Sequence, residues 1–262
     1  MKTVPSIKPG EGSGLMRIGV LLIGDELLSG RRRDKHLPKV IELLGARGLE
    51  PGWVRIEGDD EENLVRTLQQ TLAGEDLVLS FGGIGATPDD RTRQAAARAL
   101  DVPLVRHPDG VKLLEARFGE QAYPQRIRMV EFPEGASLIP NPFNQIPGFS
   151  LRHHYFMPGF PEMAWPMTEW ILDVRYPHLR PPAPPVQHLV RVFERAESEM
   201  VPLMERIGAD FPDVRLSSLP HIGTDAPYIE FGLRGPQAQT DAAREAFCAA
   251  LDAQDVPWRA QL

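Results

Sequence analysis

The sequence has little cysteine and no long apolar runs. Cys248 is its one cysteine among 262 residues, so no disulfide can form within the chain and nothing indicates an oxidising compartment. Apolar runs such as Ile18–Ile23 are far shorter than the roughly 20 residues that span a bilayer. Residues 1–14 lack the apolar core of a signal peptide. We therefore expect a cytoplasmic protein with no membrane partner.

Basic residues are outnumbered by acidic ones. The chain has 29 Lys and Arg against 36 Asp and Glu, a formal net charge of −7, whereas nucleic acid requires a basic face. One class of domains that bind single-stranded nucleic acid uses a GXXG loop between two helices. The one comparable stretch after residue 186 is Gly232–Gly235, which ends a predicted strand. We therefore expect no nucleic-acid partner.

Proline, in contrast, is abundant, with 26 residues. Four of these lie in the six residues Arg180–Pro185 and predict a stiff, extended linker. The predicted organisation is a disordered arm at 1–16, a large domain at 17–178, the linker at 179–185 and a small domain at 186–262. Other prolines fall in loops of the large domain.

Short apolar strands alternate with amphipathic helices in the large domain, which predicts a mostly parallel sheet with helices on both faces, a three-layer α/β/α fold. The small domain has the pattern β-α-β-β-α, which predicts an α+β fold. The main predicted elements of the large domain are strands Arg17–Ile23, Trp53–Ile56, Asp76–Ser80, Ala136–Ile139 and Tyr155–Met157, and helices Lys35–Arg47, Asp89–Leu100 and Glu162–Val174.

Two acidic residues directly follow the first predicted strand. The segment Gly24–Gly30 reads GDELLSG, with Asp34 four residues further on. One interpretation is a turn, in which Gly24 provides the backbone conformation, Asp25 makes an Asx turn and Glu26 caps the next helix. The alternative is a ligand site, because ligands of parallel sheets bind at the carboxyl ends of the strands. There the carboxylates would accept hydrogen bonds or hold a divalent cation.

A glycine-rich segment follows the third predicted strand. Gly82, Gly83 and Gly85 let backbone N–H groups approach a ligand closely, and the following helix N-terminus favours a phosphate. Asp89 and Asp90 would repel that phosphate unless a metal ion lay between them, an arrangement typical of Mg²⁺. A simple turn with helix-capping acids explains the carboxylates but leaves the three glycines unexplained.

Several motifs occur together over residues 17–173: GDELLSG (Gly24–Gly30), GDD (Gly58–Asp60), GGIGATPDDRT (Gly82–Thr92), PEGA (Pro133–Ala136), PNP (Pro140–Pro142), PGF (Pro147–Phe149) and PGFPEM (Pro158–Met163). In this order they resemble the MoaB/Mog molybdopterin-binding fold, in particular the N-terminal domain of the CinA family. The segment after the linker is similar to the small KH-like domain that follows this domain in CinA, through FPDVRLSSL (Phe211–Leu219) and its strand order.

The resemblance implies a site for molybdopterin, another phosphorylated pterin or an adenine dinucleotide. It also implies hydrolysis of the pyrophosphate in ADP-ribose or FAD with Mg²⁺, Mn²⁺ or Co²⁺, and a homo-oligomer. Asp90, Asp60 and Asp59 are the candidate catalytic residues, and Asp89 and Asp90 the candidate metal ligands. The candidate ligand-binding residues are Gly24, Asp25, Glu26, Gly30, Asp34, Gly82, Gly83, Gly85, Thr87, Asn141, Pro158 and Gly159.

Three departures from the family pattern lie in segments expected near the ligand. Lys35 and His36 follow Asp34 where the family has Thr-Asn, and Asn144 and Gln145 replace a glycine and a threonine. The PGFPEM turn is also one residue shorter than usual. Two alternatives therefore stay open: a binding protein without catalysis, and adenylyl transfer to molybdopterin.

Overall fold

The computed structural model describes residues 16–223 and 227–261. The predicted arm, residues 1–16, lies outside the described residues apart from Met16. The chain divides into two compact units, Met1–Arg180 and Pro181–Leu262. The division falls within the proline-rich segment, and each unit has its own hydrophobic core.

A six-stranded sheet forms the centre of the first unit, in the order β2-β1-β3-β8-β7-β6. β2, β1, β3 and β8 are parallel, and β7 runs antiparallel to both its neighbours. β4 and β5 pair separately as an antiparallel ribbon. The strands are β1 (Ile18–Ile23), β2 (Trp53–Glu57), β3 (Leu77–Phe81), β4 (Leu104–Arg106), β5 (Glu131–Pro133), β6 (Ser137–Ile139), β7 (Gly148–Leu151) and β8 (His154–Met157).

Helices cover both faces of this sheet, which confirms the predicted mostly parallel α/β architecture. Alternate residues of β1 enter two separate cores: Leu21 packs with α3 and α4 on one side, and Val20 packs with α2 and α6 on the other. The helices are α1 (Asp25–Leu28), α2 (His36–Gly45), α3 (Glu61–Ala73), α4 (Thr92–Leu100), α5 (Pro108–Phe118) and α6 (Pro161–Trp170).

Some predicted boundaries were wrong. The helix expected from Asp89 begins at Thr92, because the Asp90 carboxylate accepts a hydrogen bond from the Thr87 N–H and closes a turn before the helix. The helix expected to continue to Val174 changes to a π-helical turn at Ile171–Arg175. The prediction also missed β4, β5, β7 and α5.

The second unit is a four-stranded antiparallel sheet in the order β10-β11-β9-β12, with two helices packed on one face. The predicted β-α-β-β-α order ended too early, since β12 adds a strand at the edge. The elements are β9 (Val186–Phe193), α7 (Glu197–Asp210), β10 (Arg215–His221), β11 (Tyr228–Gly235), α8 (Gln237–Asp252) and β12 (Trp258–Gln261). Across residues 16–223 and 227–261, no helix is sufficiently long and apolar to cross a membrane.

Candidate functional site

The carboxyl ends of β1, β2, β3 and β8 meet at one edge of the first unit's sheet. The Gly24 N–H donates to the Glu57 carbonyl at 3.0 Å, which joins the ends of β1 and β2. The Gly82 N–H donates to the Met157 carbonyl at 3.0 Å, which joins β3 to β8. This edge, which we call the strand-end edge, brings together the predicted segments Gly24–Gly30, Gly82–Asp90 and Pro158–Gly159.

The backbone conformation at position 82 requires glycine. Its φ of 108° disfavours other residues, and a Cβ would collide with the Ile23 carbonyl. Gly159, after β8, lies close to Gly82, since a Cβ on Gly159 would lie 3.5 Å from the Gly82 Cα. Three strand ends can therefore pack closely enough to share one ligand.

Asp25 and Asp59 bind each other across the strand-end edge. The Asp59 N–H donates to Asp25 Oδ1 at 3.0 Å, and the Asp25 N–H donates to Asp59 Oδ2 at 2.9 Å. The pKa of Asp59 is raised, first because burial removes its carboxylate from water, and further by the negative charges of Asp25, Glu26 and Asp89. Negative charge is therefore concentrated here, and a bound cation would reduce the repulsion between these carboxylates.

Two other predicted acids cap helices. Asp60 Oδ1 accepts from the Asn63 N–H at 2.8 Å at the start of α3. The Asp34 carboxylate accepts from the His36 and Leu37 N–H groups, both at 2.9 Å, at the start of α2. Each carboxylate therefore satisfies helix donors that would otherwise lack a partner.

The glycine segment forms a closed turn. Asp90 Oδ2 accepts from both the N–H and the hydroxyl of Thr87, so this hydroxyl already has an acceptor. Asp89 lies exposed beside it. Within the described residues, no group of three or more His, Cys, Asp or Glu side chains is arranged to hold a metal ion. Asp89 and Asp90 would therefore need other ligands to complete a metal site.

The buried side chain of Arg93 anchors the glycine segment through the Gly85 carbonyl. The sequence alone did not predict this role. The Arg93 side chain is 2% exposed, and its guanidinium donates to the carbonyls of Gly85, Arg128 and Glu131. Burial lowers the pKa of Arg93, against the opposing effect of Asp90 and Glu131. An arginine in an amphipathic helix ordinarily lies in solvent, so its spacing gives no sign of this role.

A small pocket opens between the residues after α1 and the Gly159 turn. Its lining includes Arg32, Arg33, His36 and Gly159. Arg32 Nη2 donates to the Gly159 carbonyl at 3.4 Å. His36 is buried and stacks on Phe81 with ring centroids 4.6 Å apart, and its Nδ1 lacks a partner. Burial lowers the pKa of His36, which favours the uncharged imidazole. His36, which stands where the family has an asparagine, is therefore a polar, uncharged side chain in the lining of the pocket.

The Asn141 side chain is occupied within its own loop. Its Nδ2 donates to Asn144 Oδ1 at 2.7 Å and to the Ile146 carbonyl at 3.0 Å. Its Oδ1 accepts from the Phe143 N–H at 3.1 Å. Asn141 therefore shapes the loop in which Asn144 departs from the family pattern. Gly30, another predicted contact, has a φ of 71° in the turn that ends α1.

The first unit matches a known family. Residues 19–180 fit the model of the family described as a probable molybdopterin binding domain. The chain belongs to this molybdopterin-binding family. The matched region contains the whole strand-end edge.

The chain is also similar to proteins described as CinA-like. A CinA-like protein of Anaeromyxobacter dehalogenans (strain 2CP-C) is 32% identical over 241 residues, which cover 87% of this chain and 58% of that protein. A protein of Pyrobaculum calidifontis is 27% identical over 240 residues, covering 88% of this chain and 92% of that protein. The chain therefore spans 58% of the length of its A. dehalogenans relative.

A solved structure supports the fold. The CinA protein of Thermoplasma acidophilum, described as having unknown function, aligns with a TM-score of 0.54 at 24% identity. The alignment covers 60% of this chain and 97% of that one. This likeness shows a shared fold.

Proposed function

We propose that the strand-end edge binds a phosphorylated pterin or an adenine dinucleotide, and that the protein hydrolyses a pyrophosphate bond in ADP-ribose-type or FAD-type molecules with a divalent cation. The observation that carries this proposal is the meeting of four strand ends. It places the glycine backbone of Gly82–Gly85 beside the carboxylates of Asp25 and Asp59.

The edge offers separate surfaces for the two parts of such a ligand. Backbone N–H groups near Gly83 and the guanidinium groups of Arg32 and Arg33 suit phosphates. Leu28 and Phe160 are large apolar side chains with 60% and 56% of their surface exposed. Leu28 lies within the GDELLSG segment and Phe160 directly follows Gly159, and their exposed apolar surfaces suit a planar pterin or adenine ring.

The carboxylates fit a cation that is held jointly with the ligand. The raised pKa of Asp59 reflects the close negative charges of Asp25, Glu26 and Asp89. Mg²⁺ commonly takes one or two protein carboxylates and completes its shell with substrate phosphates and water. Asp89 and Asp90 are the residues that would hold it, and the nearby negative charge of Asp59 would attract it. When bound, such a cation supplies charge neutralisation at the bridging phosphates.

Hydrolysis is then a single displacement. The oxygen of a water molecule bonds to one phosphorus, the bond from that phosphorus to the bridging oxygen breaks, and the bridging oxygen leaves with the second phosphate. The proton of the water passes to a carboxylate. Asp59 suits this role because its raised pKa makes it a stronger base than an ordinary aspartate.

Turnover assays test the proposal directly. We expect ADP-ribose or FAD to be cleaved in Mg²⁺, Mn²⁺ or Co²⁺. The change Asp59→Asn should lower the rate by about 100-fold or more, since it removes the proton acceptor, and Asp90→Ala should also lower it. Asp109→Asn, an exposed carboxylate paired with Lys112 on α5, is the matched control. Failure to cleave ADP-ribose, FAD and NAD with all three metals would reject hydrolysis.

Binding without catalysis is the second candidate, favoured by the altered loop at Asn144 and Gln145. Calorimetry would then show tight binding without product. Adenylyl transfer is the third candidate, and ATP consumption that depends on added molybdopterin would distinguish it from hydrolysis.

We also propose a cytoplasmic homo-oligomer. The observation in its favour is the edge strand β2, whose Val54 and Ile56 side chains are 39% and 48% exposed. Light scattering would test the subunit number, and a monomer at high concentration would reject the oligomer.

A further inference from the structure

Both described helices of the second unit, α7 and α8, pack on the same face of its sheet. On the helix side, His188 contacts Asp241 of α8 at 2.6 Å, and Ser218 donates to Glu197 of α7. Alternate strand residues point to opposite faces. The odd-numbered residues of β9 and β10, and those paired with them on β11 and β12, therefore lie on the other side, which we call the open face.

A row of flat side chains crosses the open face. His221, Tyr228 and Phe193 are register partners on β10, β11 and β9. His221 stacks on Tyr228 with centroids 4.4 Å apart, and Tyr228 lies 5.9 Å from Phe193. Arg191 lies 4.6 Å from the Tyr228 centroid, and Arg259 lies 5.7 Å from that of Phe193. The row therefore joins rings and guanidinium planes across all four strands.

The open face is basic although its unit is acidic. Residues 181–262 contain seven arginines, no lysine and twelve acidic residues. Four of these arginines, Arg191, Arg215, Arg234 and Arg259, lie on the open face by strand register. Among the described strand residues of that face, Glu230 is the one acid, and it pairs with Arg191 at 3.3 Å. Positive charge therefore runs along the open face: Arg191 and Arg259 lie beside the rings, and Arg215 and Arg234 lie toward the opposite end of the strands.

We propose that the open face binds single-stranded nucleic acid. Stacking on aromatic rings and arginine planes, combined with basic charge along the path, is the chemistry that recognises unpaired bases and their phosphates. A cleft of about 670 Å³ lies at the ring end of the sheet, lined in part by Phe193, His221, Tyr228 and Arg259, and it has room for a base. This proposal departs from the expectation of no nucleic-acid partner, which rested on the overall charge and the missing GXXG loop, because the strand register gathers four arginines on one face of the sheet. It is independent of the strand-end edge.

Fluorescence anisotropy with the full chain tests this proposal, using labelled oligouridine and oligodeoxythymidine of about twelve nucleotides. We expect saturable binding that weakens as salt rises. Tyr228→Leu removes the central ring, and we expect about tenfold weaker binding. Arg259→Glu should weaken binding by at least as much. Arg206→Glu is the matched control, because Arg206 is an exposed arginine on α7, on the helix side, and its reversal should leave affinity within about twofold.

Several results would overturn the proposal. These are no binding of either oligomer at low salt, equal losses in Arg259→Glu and Arg206→Glu, or binding of a duplex or a free mononucleotide as tight as that of the oligomers. The relative affinities for RNA and DNA identify which strand the face prefers. If Tyr228→Leu fails to fold, the paired charge reversals decide the question, with thermal unfolding as the folding control.

Discussion

His154 is a buried histidine that folding keeps neutral. It is 1% exposed and stacks on Phe156, and burial lowers its pKa to about 3. The unfolded chain takes up this proton below about pH 6.5 while the folded chain does not, so the free energy of unfolding falls as pH drops from 6.5 to 3, by about 1.4 kcal/mol per pH unit.

His154→Leu should remove this loss, so that its free energy of unfolding declines less steeply with acid than that of the wild type. Chemical denaturation at several pH values measures the difference. His178→Gln, at an exposed position, should keep the wild-type slope. Identical slopes for His154→Leu and the wild type would contradict the burial argument.

Asp59 should reduce stability at neutral pH. A raised carboxyl pKa means that the folded state holds its proton to higher pH than the unfolded state does. Stability is therefore lost as pH rises from 3.8 through the raised pKa of the folded state. Asp59→Asn should raise the thermal midpoint at pH 7 and have little effect at pH 3.

The asparagine keeps the oxygen that accepts from the Asp25 N–H, so the comparison isolates the charge. Asp60→Asn keeps the α3 cap and serves as the control, with an unchanged midpoint expected. An equal shift of the Asp59→Asn midpoint at both pH values would show that charge is not the cause.

At the scale of elements, α4 depends on one buried arginine. Arg93 is the shared partner of the Gly85, Arg128 and Glu131 carbonyls. Arg93→Met would leave these acceptors without their donor, and we expect the free energy of unfolding to fall by about 3 kcal/mol. Urea denaturation measures this change.

Arg98→Met on the same helix is the control. Arg98 is exposed and its ion pairs with Glu61 and Glu62 are screened by solvent, so its loss should matter far less. Equal effects of the two changes would mean that Arg93 does not hold the glycine segment.

The elements also show what the sequence could and could not predict. β1 and β3 were predictable because both faces are buried, so the strand is a continuous apolar run. β12, Trp258–Gln261, was not, because an edge strand with an open face has no such run. Likewise the motifs located the glycine segments, but the bonds between Asp25 and Asp59 depend on strand order, which joins residues 34 positions apart.

At the scale of the whole molecule, separate cores predict separate unfolding. The two units have distinct hydrophobic clusters, so we expect two calorimetric transitions. Arg93→Met should lower the temperature of the transition of the first unit, which contains α4, and leave the other unchanged. ADP-ribose with Mn²⁺ should raise the temperature of that same transition. At a ligand concentration of 100 times the dissociation constant, the free energy of unfolding of the first unit should rise by about 2.7 kcal/mol. A single transition that both changes move would contradict the independence of the units.

Binding of a phosphorylated ligand at the strand-end edge is tested most directly by titration calorimetry of ADP-ribose with Mn²⁺. We predict saturable binding at one site per chain, weakened tenfold or more in Asp59→Asn. Because that variant should be at least as stable as the wild type, lost affinity cannot be attributed to unfolding. Equal affinity in the variant, or no binding of ADP-ribose, FAD or molybdopterin by the wild type, would contradict the proposed site.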